Sequence, residues 1–526
     1  MPSPDASDAP NASDAPDVPD ASGASGGADG TDALGGSDDH RDHGGFGDRG
    51  DHGGSGDRGH QGDSGDRGHH GDSGGLDAFD GAPARHDPDV LVIGGGIAGL
   101  FCAYHLRLGG ARVTVVESGP VGGPQSCSHG NTGFVGTQGA APLAEPGVPA
   151  QGIRWLLDPE SPFSVRPRWD PELARWLWHF RRACDERAAD AAFRVLADMK
   201  RRSLAMLREL CAPTGSGGAT GPNGLASAFA EGGMLLAFNT AEGFEKGRRS
   251  VARAAARGVP LRVLDPDELR ALEPGVEFDV RGALYNEEGA YLRVPEFLRE
   301  FARTLRDMGV EILEEIEVVG FETAGGAVRR VRTTRGDLSP AETVVAAGAW
   351  SAECVRRLGL RLPLQPAKGY TVTVKAPGNA PRHPVLLGEG KVAITPLGDR
   401  LRLGGTLELA GMDPAVSRRR VAGILRTVRS YLPGMETTPI IETWSGLRPC
   451  TPDSLPLIGR AGSYRGLWLA CGHGHIGMGL APSGGRLLAQ LLTGEPPDTD
   501  PAPFHPGRYG DRTARRRGRD GGRRWP

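Results

Sequence analysis

The stretch from Asp89 to Leu100, DVLVIGGGIAGL, puts Gly94, Gly96 and Gly99 directly after an apolar run. The run reads as a buried strand. The residues after it, IAGLFCAYHLRLGG, read as a helix stopped by glycines. Each glycine has its own task in such a turn. The first permits the tight bend, the second lets backbone approach a pyrophosphate, and the third lets helix and strand pack closely. The helix start, with Ile97 and Ala98 in its first turn, presents unpaired N–H groups and a partial positive charge to phosphates. ARVTVVES is the next buried strand. It ends on Glu117 and Ser118, about 20 residues on, where a carboxylate accepts from ribose hydroxyls. An acid there, rather than a basic residue, favours FAD or NAD over NADP. The ordered series of strand, loop, helix, strand and acid predicts a dinucleotide site. The alternative is a glycine-rich turn in an empty α/β fold.

What precedes this unit is expected not to fold. Residues 1–86 begin with Asp-Ala-Pro-like repeats and continue into Gly, Asp, Ser, Arg and His, with hardly an apolar side chain. Such a segment cannot bury enough surface to offset its ordering entropy, so a disordered N-terminal tail is predicted. Its His-rich repeat is a metal binder, a solvated linker, or sequence read from an unused upstream start; no metal site is assigned. The end of the chain, RTARRRGRDGGRRWP, is a basic tail: either a solvated end or a peripheral contact with anionic lipid. The seven cysteines are scattered without a C-x-x-C pair, which argues against a disulfide framework or a zinc site. A formal charge of −4 argues against a field that would gather nucleic acid. No long apolar run or secretory signal is evident, so a cytoplasmic location is expected, with peripheral contact on the inner face of the membrane left open.

Between the tails two kinds of pattern interleave. DVLVIGG, ARVTVVES, AETVVAAGAW and GLWLACGHGHIG are apolar strands ending in glycine turns. GYTVTV, VAITPL and RLRLGGTLEL alternate, as half-exposed antiparallel strands do. PELARWLWHFRRACDERAADAAFRVLADMKRRSLAMLREL is read as helical, with Leu173, Trp176, Leu177 and Phe180 on one face. The tryptophans of RWLWHF are read as core, not as a cofactor box. APTGSGGATGPNGLASA is read as a loop. An NAD dehydrogenase would continue through further strand-helix units after Glu117. Here a small polar stretch, SCSHGNTGFVG, and a long helical insertion follow instead. That interruption suits FAD, whose ring is buried between a dinucleotide domain and an inserted substrate domain.

The segments DVLVIGGGIAGLFCAYHL, SHGNTGFV, VVAAGAWS, LQPAKGYTVTV, WSGLRPCTPDSLPLIGR and LACGHGHIGMGLAPSGGRLLAQLL, with EPGVPAQGIRWLLDPESPFSVRP in general form, resemble FAD-dependent amino-acid oxidoreductases of the D-amino-acid oxidase superfamily. They are most similar to the bacterial D-amino-acid dehydrogenases of the small-subunit type. The resemblance implies a mixed α/β fold. A Rossmann-like FAD-binding domain comes from segments 87–145, 291–355 and 443–508. An antiparallel-sheet substrate domain comes from 146–290 and 356–442. Residues 509–526 form a basic disordered tail. It implies non-covalent FAD and oxidation of a D-amino acid to an imino acid that hydrolyses to a 2-oxo acid and ammonia. The electrons pass to a quinone or another acceptor. The alternatives are a glycine, sarcosine, proline or hydroxyproline oxidase or dehydrogenase of the same superfamily and, more remotely, a non-catalytic flavoprotein of an assembly.

The resemblance also implies site roles. Arg448, in WSGLRP, pairs with the substrate carboxylate, for which a planar guanidinium offers two parallel hydrogen bonds. His473 and His475 lie in the turn ACGHGHIGMG, whose Gly472, Gly474 and Gly477 let backbone approach the flavin. His475 stands where some relatives place an arginine, which puts a second carboxylate contact in question. Ser128, Asn131 and Gly133 belong to the loop near the pyrophosphate and flavin. Val318 belongs to a strand whose backbone holds adenine, and Gly348 to backbone passing close to the cofactor. Lys368 and Tyr370, in KGY, lie at the mouth of the substrate domain. Tyr370 contacts substrate or packs in the sheet. Cys450 does not match a flavin-linking cysteine.

Overall fold

The computed structural model describes residues 87–137, 139–150, 152, 163–212, 223–435, 438–462 and 464–510. The His-rich N-terminal segment, the basic residues 511–526 and most of 151–162 lie outside the described residues.

Val90–Ile93 and Val113–Val116 are aliphatic and mostly β-branched, and every residue in them is buried. Strands buried on both faces belong in parallel sheets. These two pair in parallel, Val90 opposite Val113, with helix Ile97–Leu108 as the crossover. The sheet has six strands in the order Leu457–Arg460, Leu467–Cys471, Glu342–Val345, Val90–Ile93, Val113–Val116, Glu311–Leu313. All neighbours are parallel except the first pair. Alternate side chains face opposite ways. Val90 and Val92 therefore enter a core with helices Ile97–Leu108, Val294–Asp307 and Gly477–Thr493. Leu91 and Ile93 enter a core with the antiparallel sheet Val318–Ala324, Ala327–Thr333, Gly336–Leu338. On the helical side the Phe101 and Phe301 rings lie 4.6 Å apart. A Cβ at Gly485 would lie 2.6 Å from the Phe101 backbone, so the first and last helices meet backbone to backbone.

The second sheet has nine strands. Eight run in the order Ile440–Cys450, Gln365–Lys375, Arg400–Leu409, Ala393–Leu397, Val385–Leu387, Met234–Phe238, Gly282–Asn286, Arg262–Leu264, and Phe163–Val165 adds to Arg400–Leu409. It is mainly antiparallel. The exceptions are Val385–Leu387 beside Met234–Phe238 and Leu409 beside Val165. The mixed α/β architecture expected from the sequence is therefore present, with one correction. Gln365–Lys375 and the first half of Arg400–Leu409 are buried on both faces, not half-exposed. One face packs on helix Arg418–Arg429. The other takes the loop after Glu117: Arg402 donates to the carbonyls of His129 and Asn131, and Gly404 lies against Thr132.

The long helical stretch is two helices, Pro171–Ala183 and Glu186–Leu210. Asp170 and Asp185 cap them, each accepting two N–H groups of the following turn, and Pro171 sits where its missing N–H costs nothing. Leu173 and Trp176 are core, but Leu177 and Trp178 face outward, 39% and 54% exposed. Asn223–Ala228, read as loop, is a short helix.

Candidate active site

A cleft of about 540 Å³ opens at the carboxyl ends of the parallel strands, the position where open α/β sheets take ligands. Its walls begin where four strands stop: Ile93 leads into Gly94, Val116 into Glu117, Val345 into Ala346, and Ala470 and Cys471 into the histidine turn.

The glycines divide by what surrounds them. Gly94 has φ +110°, and a Cβ there would lie 2.6 Å from the Ala346 carbonyl oxygen. A Cβ on Gly99 would lie 1.8 Å from the Gly94 oxygen. Those two keep strand and helix together. Gly96 is different. Its Cβ would meet only the Ser128 and Ser126 hydroxyls, at 3.4 and 3.8 Å, on the cleft wall. Gly348 and Gly474 have positive φ and no atom within 4 Å of a Cβ position, and both line the cleft. Nothing in the protein fills these places, which suits a closely approaching ligand. Gly477 lines it too.

Ile97 and Ala98 line the cleft at the helix start, where the Ile97 N–H donates to the Ser128 hydroxyl at 3.2 Å. No side chain of the capping residue Gly96 competes there. The Glu117 carboxylate accepts from the Gly95 N–H and, at 3.1 Å, from the Ser118 N–H and hydroxyl. Glu117, Ser118 and Val318 all line the cleft. Asn131 lines it, and its side-chain oxygen accepts from the Gly133 N–H at 2.7 Å. Gly133 and Gly472 are not lining residues. Their Cβ positions fall 2.1 Å from the Leu292 oxygen and 2.8 Å from Thr451, so both serve packing.

Arg448 is half-buried on the strand leading to Pro449, which lines the cleft. Its Nη1 donates to the Thr406 carbonyl at 2.8 Å, and its guanidinium lies flat against Gly369, whose Cβ would come within 2.2 Å. Among the described residues no carboxylate forms an ion pair with it; its electrostatic neighbours are the thiols of Cys127 and Cys450. Removal from water pulls its pKa below the usual guanidinium value. Both thiols are pushed up by burial, Cys127 to about 11 and Cys450 to about 12, so they stay protonated at neutral pH.

His473 lines the cleft and is 5% exposed. Burial lowers its pKa to about 4. His475, beside Arg448 and Lys200, is lowered to about 3 by burial first and those two cations second. Both rings are neutral at neutral pH. Unfolded, His473 titrates near 6.5. Below that pH the unfolded chain takes up the proton first. The stability this residue contributes is complete above pH 6.5 and is lost as pH falls toward about 4, at up to about 1.4 kcal/mol per pH unit. His473→Asn is expected to flatten the fall in Tm across that window. Parallel curves for variant and parent would assign the acid instability to other groups.

Of the two readings of Tyr370, packing in the sheet is the one its surroundings favour. The residue is fully buried, and its hydroxyl donates to Glu408 at 2.5 Å. Gly369 faces Arg448, so Tyr370, one residue on, points through the opposite face of the sheet. Lys368 is on that far face as well, with Asp413 at 3.3 Å. The sequence reading missed Cys127, Trp350 and Arg357, which line the cleft, and Lys200, 1% exposed and lowered to about 7 by burial. Lys200 was findable: it stands four residues from both Leu196 and Leu204, on the buried stripe of its helix.

A glycine loop that leaves room for phosphates, a ribose-range carboxylate and a second sheet beside the cleft define a flavin-type dinucleotide-binding oxidoreductase. The family model described as FAD dependent oxidoreductase matches residues 89–491. A D-amino acid dehydrogenase of Granulibacter bethesdensis is 34% identical over 432 residues, covering 80% of this chain and 99% of its own. One from Agrobacterium fabrum is 33% identical over 423 residues, covering 78% and 97%. Among solved structures, glycine oxidase from Geobacillus kaustophilus is similar with a TM-score of 0.62 and 26% identity, covering 81% of this chain and 99% of that one. The chain belongs to the FAD-dependent oxidoreductase family, and FAD is its cofactor.

Proposed function

We propose that this protein oxidises a D-amino acid to the imino acid, which hydrolyses to a 2-oxo acid and ammonia, and passes the electrons to a quinone. The observation that carries the reading is Arg448, a guanidinium beside the cleft without an acidic partner among the described residues. A half-buried cation without an acidic partner calls for an anion, and an amino acid brings a carboxylate. The D-amino acid dehydrogenases that cover almost their full length in this chain support the choice of substrate.

When bound, FAD supplies the two-electron acceptor. The chain's own residues do the rest. Arg448, held by the Thr406 carbonyl and flat on Gly369, grips the carboxylate and so fixes the direction of the α carbon. His473 and His475, both neutral, add no charge that would draw the carboxylate from Arg448. Neither protonated thiol competes as an anion. Gly96, Gly348 and Gly474, which line the cleft, would let backbone approach the cofactor, Glu117 would accept from its ribose hydroxyls and Val318 would offer backbone to its adenine.

Anaerobic mixing of the holoprotein with D-, L- and N-methyl amino acids tests this. D-amino acids are expected to bleach the visible flavin band fastest. Preferential bleaching by glycine or an N-methyl amino acid would favour the second reading, a glycine or sarcosine oxidase, to which the glycine oxidase structure lends support. A dye-linked turnover much faster than turnover with oxygen is expected if a quinone is the acceptor. No helix among the described residues is long and apolar enough to cross a membrane.

A further inference from the structure

Strand Ile440–Cys450 presents Trp444, Gly446 and Arg448 on one face of the sheet, since residues two apart point the same way. Its neighbour, Gln365–Lys375, runs antiparallel to it and puts Thr371, Gly369 and Ala367 opposite these three. Gly369 and Gly446 therefore face each other in the middle, with Cα atoms about 4.5–5.5 Å apart as in any such pair. They make a floor without side chains, and two groups lie on it. The Arg448 guanidinium covers Gly369. The Trp444 ring covers Gly446, whose Cβ would fall 1.9 Å from Cη2. The indole is thus the neighbour of the guanidinium across the floor.

The ring is fixed in that place. It lies against a second glycine, Gly130, whose Cβ would come 2.0 Å from Cε3. Its Nε1–H donates to the Pro124 carbonyl at 2.6 Å. Pro124 and Gly130 belong to the loop that also supplies Ser126, Cys127 and Ser128 to the cleft wall. Trp444 is nonetheless only half-buried.

We propose that Trp444 is a specificity-determining wall of the substrate site: with a carboxylate on Arg448, the indole closes the side toward the start of the strand and favours amino acids with a compact side chain. A side chain that runs into the ring has to displace it, and displacement breaks the bond to Pro124. A wall held this firmly discriminates by size, because the misfit is not relieved by a small movement. The inference rests on the reading of Arg448 given above and deepens it by naming the substrate class, small D-amino acids.

The test uses the holoprotein and two acids that lack the amine, propionate and 3-phenylpropionate, the counterparts of alanine and phenylalanine. Their binding is read from the shift of the visible flavin band, without turnover. Trp444→Ala is expected to change the ratio of the two dissociation constants roughly tenfold or more in favour of 3-phenylpropionate. The ratio of kcat/KM for D-phenylalanine over D-alanine should rise by a similar factor. Trp444→Leu, which keeps an apolar group against the glycines, should move both ratios the same way by about threefold or more. It carries the test if the alanine variant loads no flavin. Unchanged ratios in the loaded variants would overturn the proposal. So would equal weakening of both acids, which would leave Trp444 only the task of tying the loop to the sheet. A parent that binds neither acid would remove the carboxylate role of Arg448, and the wall with it. A parent that binds propionate, with ratios that the variants do not move, would remove the wall alone.

Discussion

Arg448→Ala is expected to lower kcat/KM roughly 30-fold or more, because removing one member of a desolvated charge pair costs about 2–5 kcal/mol. The substitution also strips the Thr406 carbonyl of its donor, so a structural contribution has to be separated from the catalytic one. Two further variants do this. Arg448→Lys keeps the charge and loses the planar fork; it should recover only a small part of the activity. Gly369→Ala leaves the arginine in the chain but places a Cβ where the guanidinium lies, 2.2 Å away. It should raise KM about tenfold or more by turning the guanidinium out of position. Full cofactor loading and near-parental kinetics in Arg448→Ala would remove the carboxylate role altogether.

Gly369 illustrates what could and could not be read in advance. The triplet Lys368-Gly369-Tyr370 stands out in the sequence for its polar members, yet the small central residue is the one that faces the site. Period-2 alternation says that neighbours face oppositely; only the pairing of Gly369 with Gly446 and of Ala367 with Arg448 says which of them faces the arginine. The glycine loop was legible because its task is set by backbone geometry within a few residues. Its strand, helix and acid were recovered with it. Cys127 carried no signal, since a loop cysteine has no local pattern and its place on the cleft wall comes from the fold of the whole loop.

The antiparallel strands show the same limit in another form. RLRLGGTLEL alternates, and alternation ordinarily marks one wet face. Here Arg402 is 3% exposed. Its guanidinium goes to the carbonyls of His129 and Asn131, in the loop that runs from the parallel sheet across to this one. A polar side chain in a strand can thus mark contact with another backbone as well as with water, and the sequence alone does not distinguish them. The outward Trp178 is the converse: an apolar side chain at helical spacing, read as core and found on the surface.

Gly96 and Gly99, three residues apart in one motif, should fail in different ways when enlarged. Gly99→Val puts a Cβ 1.8 Å from the Gly94 oxygen, a clash that neither backbone can avoid without parting helix from strand. It is expected to reach the soluble fraction poorly and unfold at lower temperature. Gly96 has φ −71° and ψ 176°, which any residue adopts, and its Cβ would touch only serine hydroxyls at 3.4 Å or more. Gly96→Val should therefore fold, with a Tm for the cofactor-free form within about 3 °C of the parent apoprotein. Its side chain would occupy the space through which phosphate oxygens approach the Ile97 and Ala98 N–H groups. Losing one or two charge-assisted hydrogen bonds, at about 1.5–3 kcal/mol each, predicts FAD affinity lower by roughly 10-fold to 1,000-fold or more. Purified Gly96→Val is expected to be colourless, and titration with FAD should restore the visible band only at high concentration. If it emerges fully yellow while Gly99→Val does not fold, the open space at Gly96 is not where the pyrophosphate rests. The N-terminal end of helix Ile97–Leu108 would then lose its assigned task, because no other residue of the motif leaves that helix end uncovered.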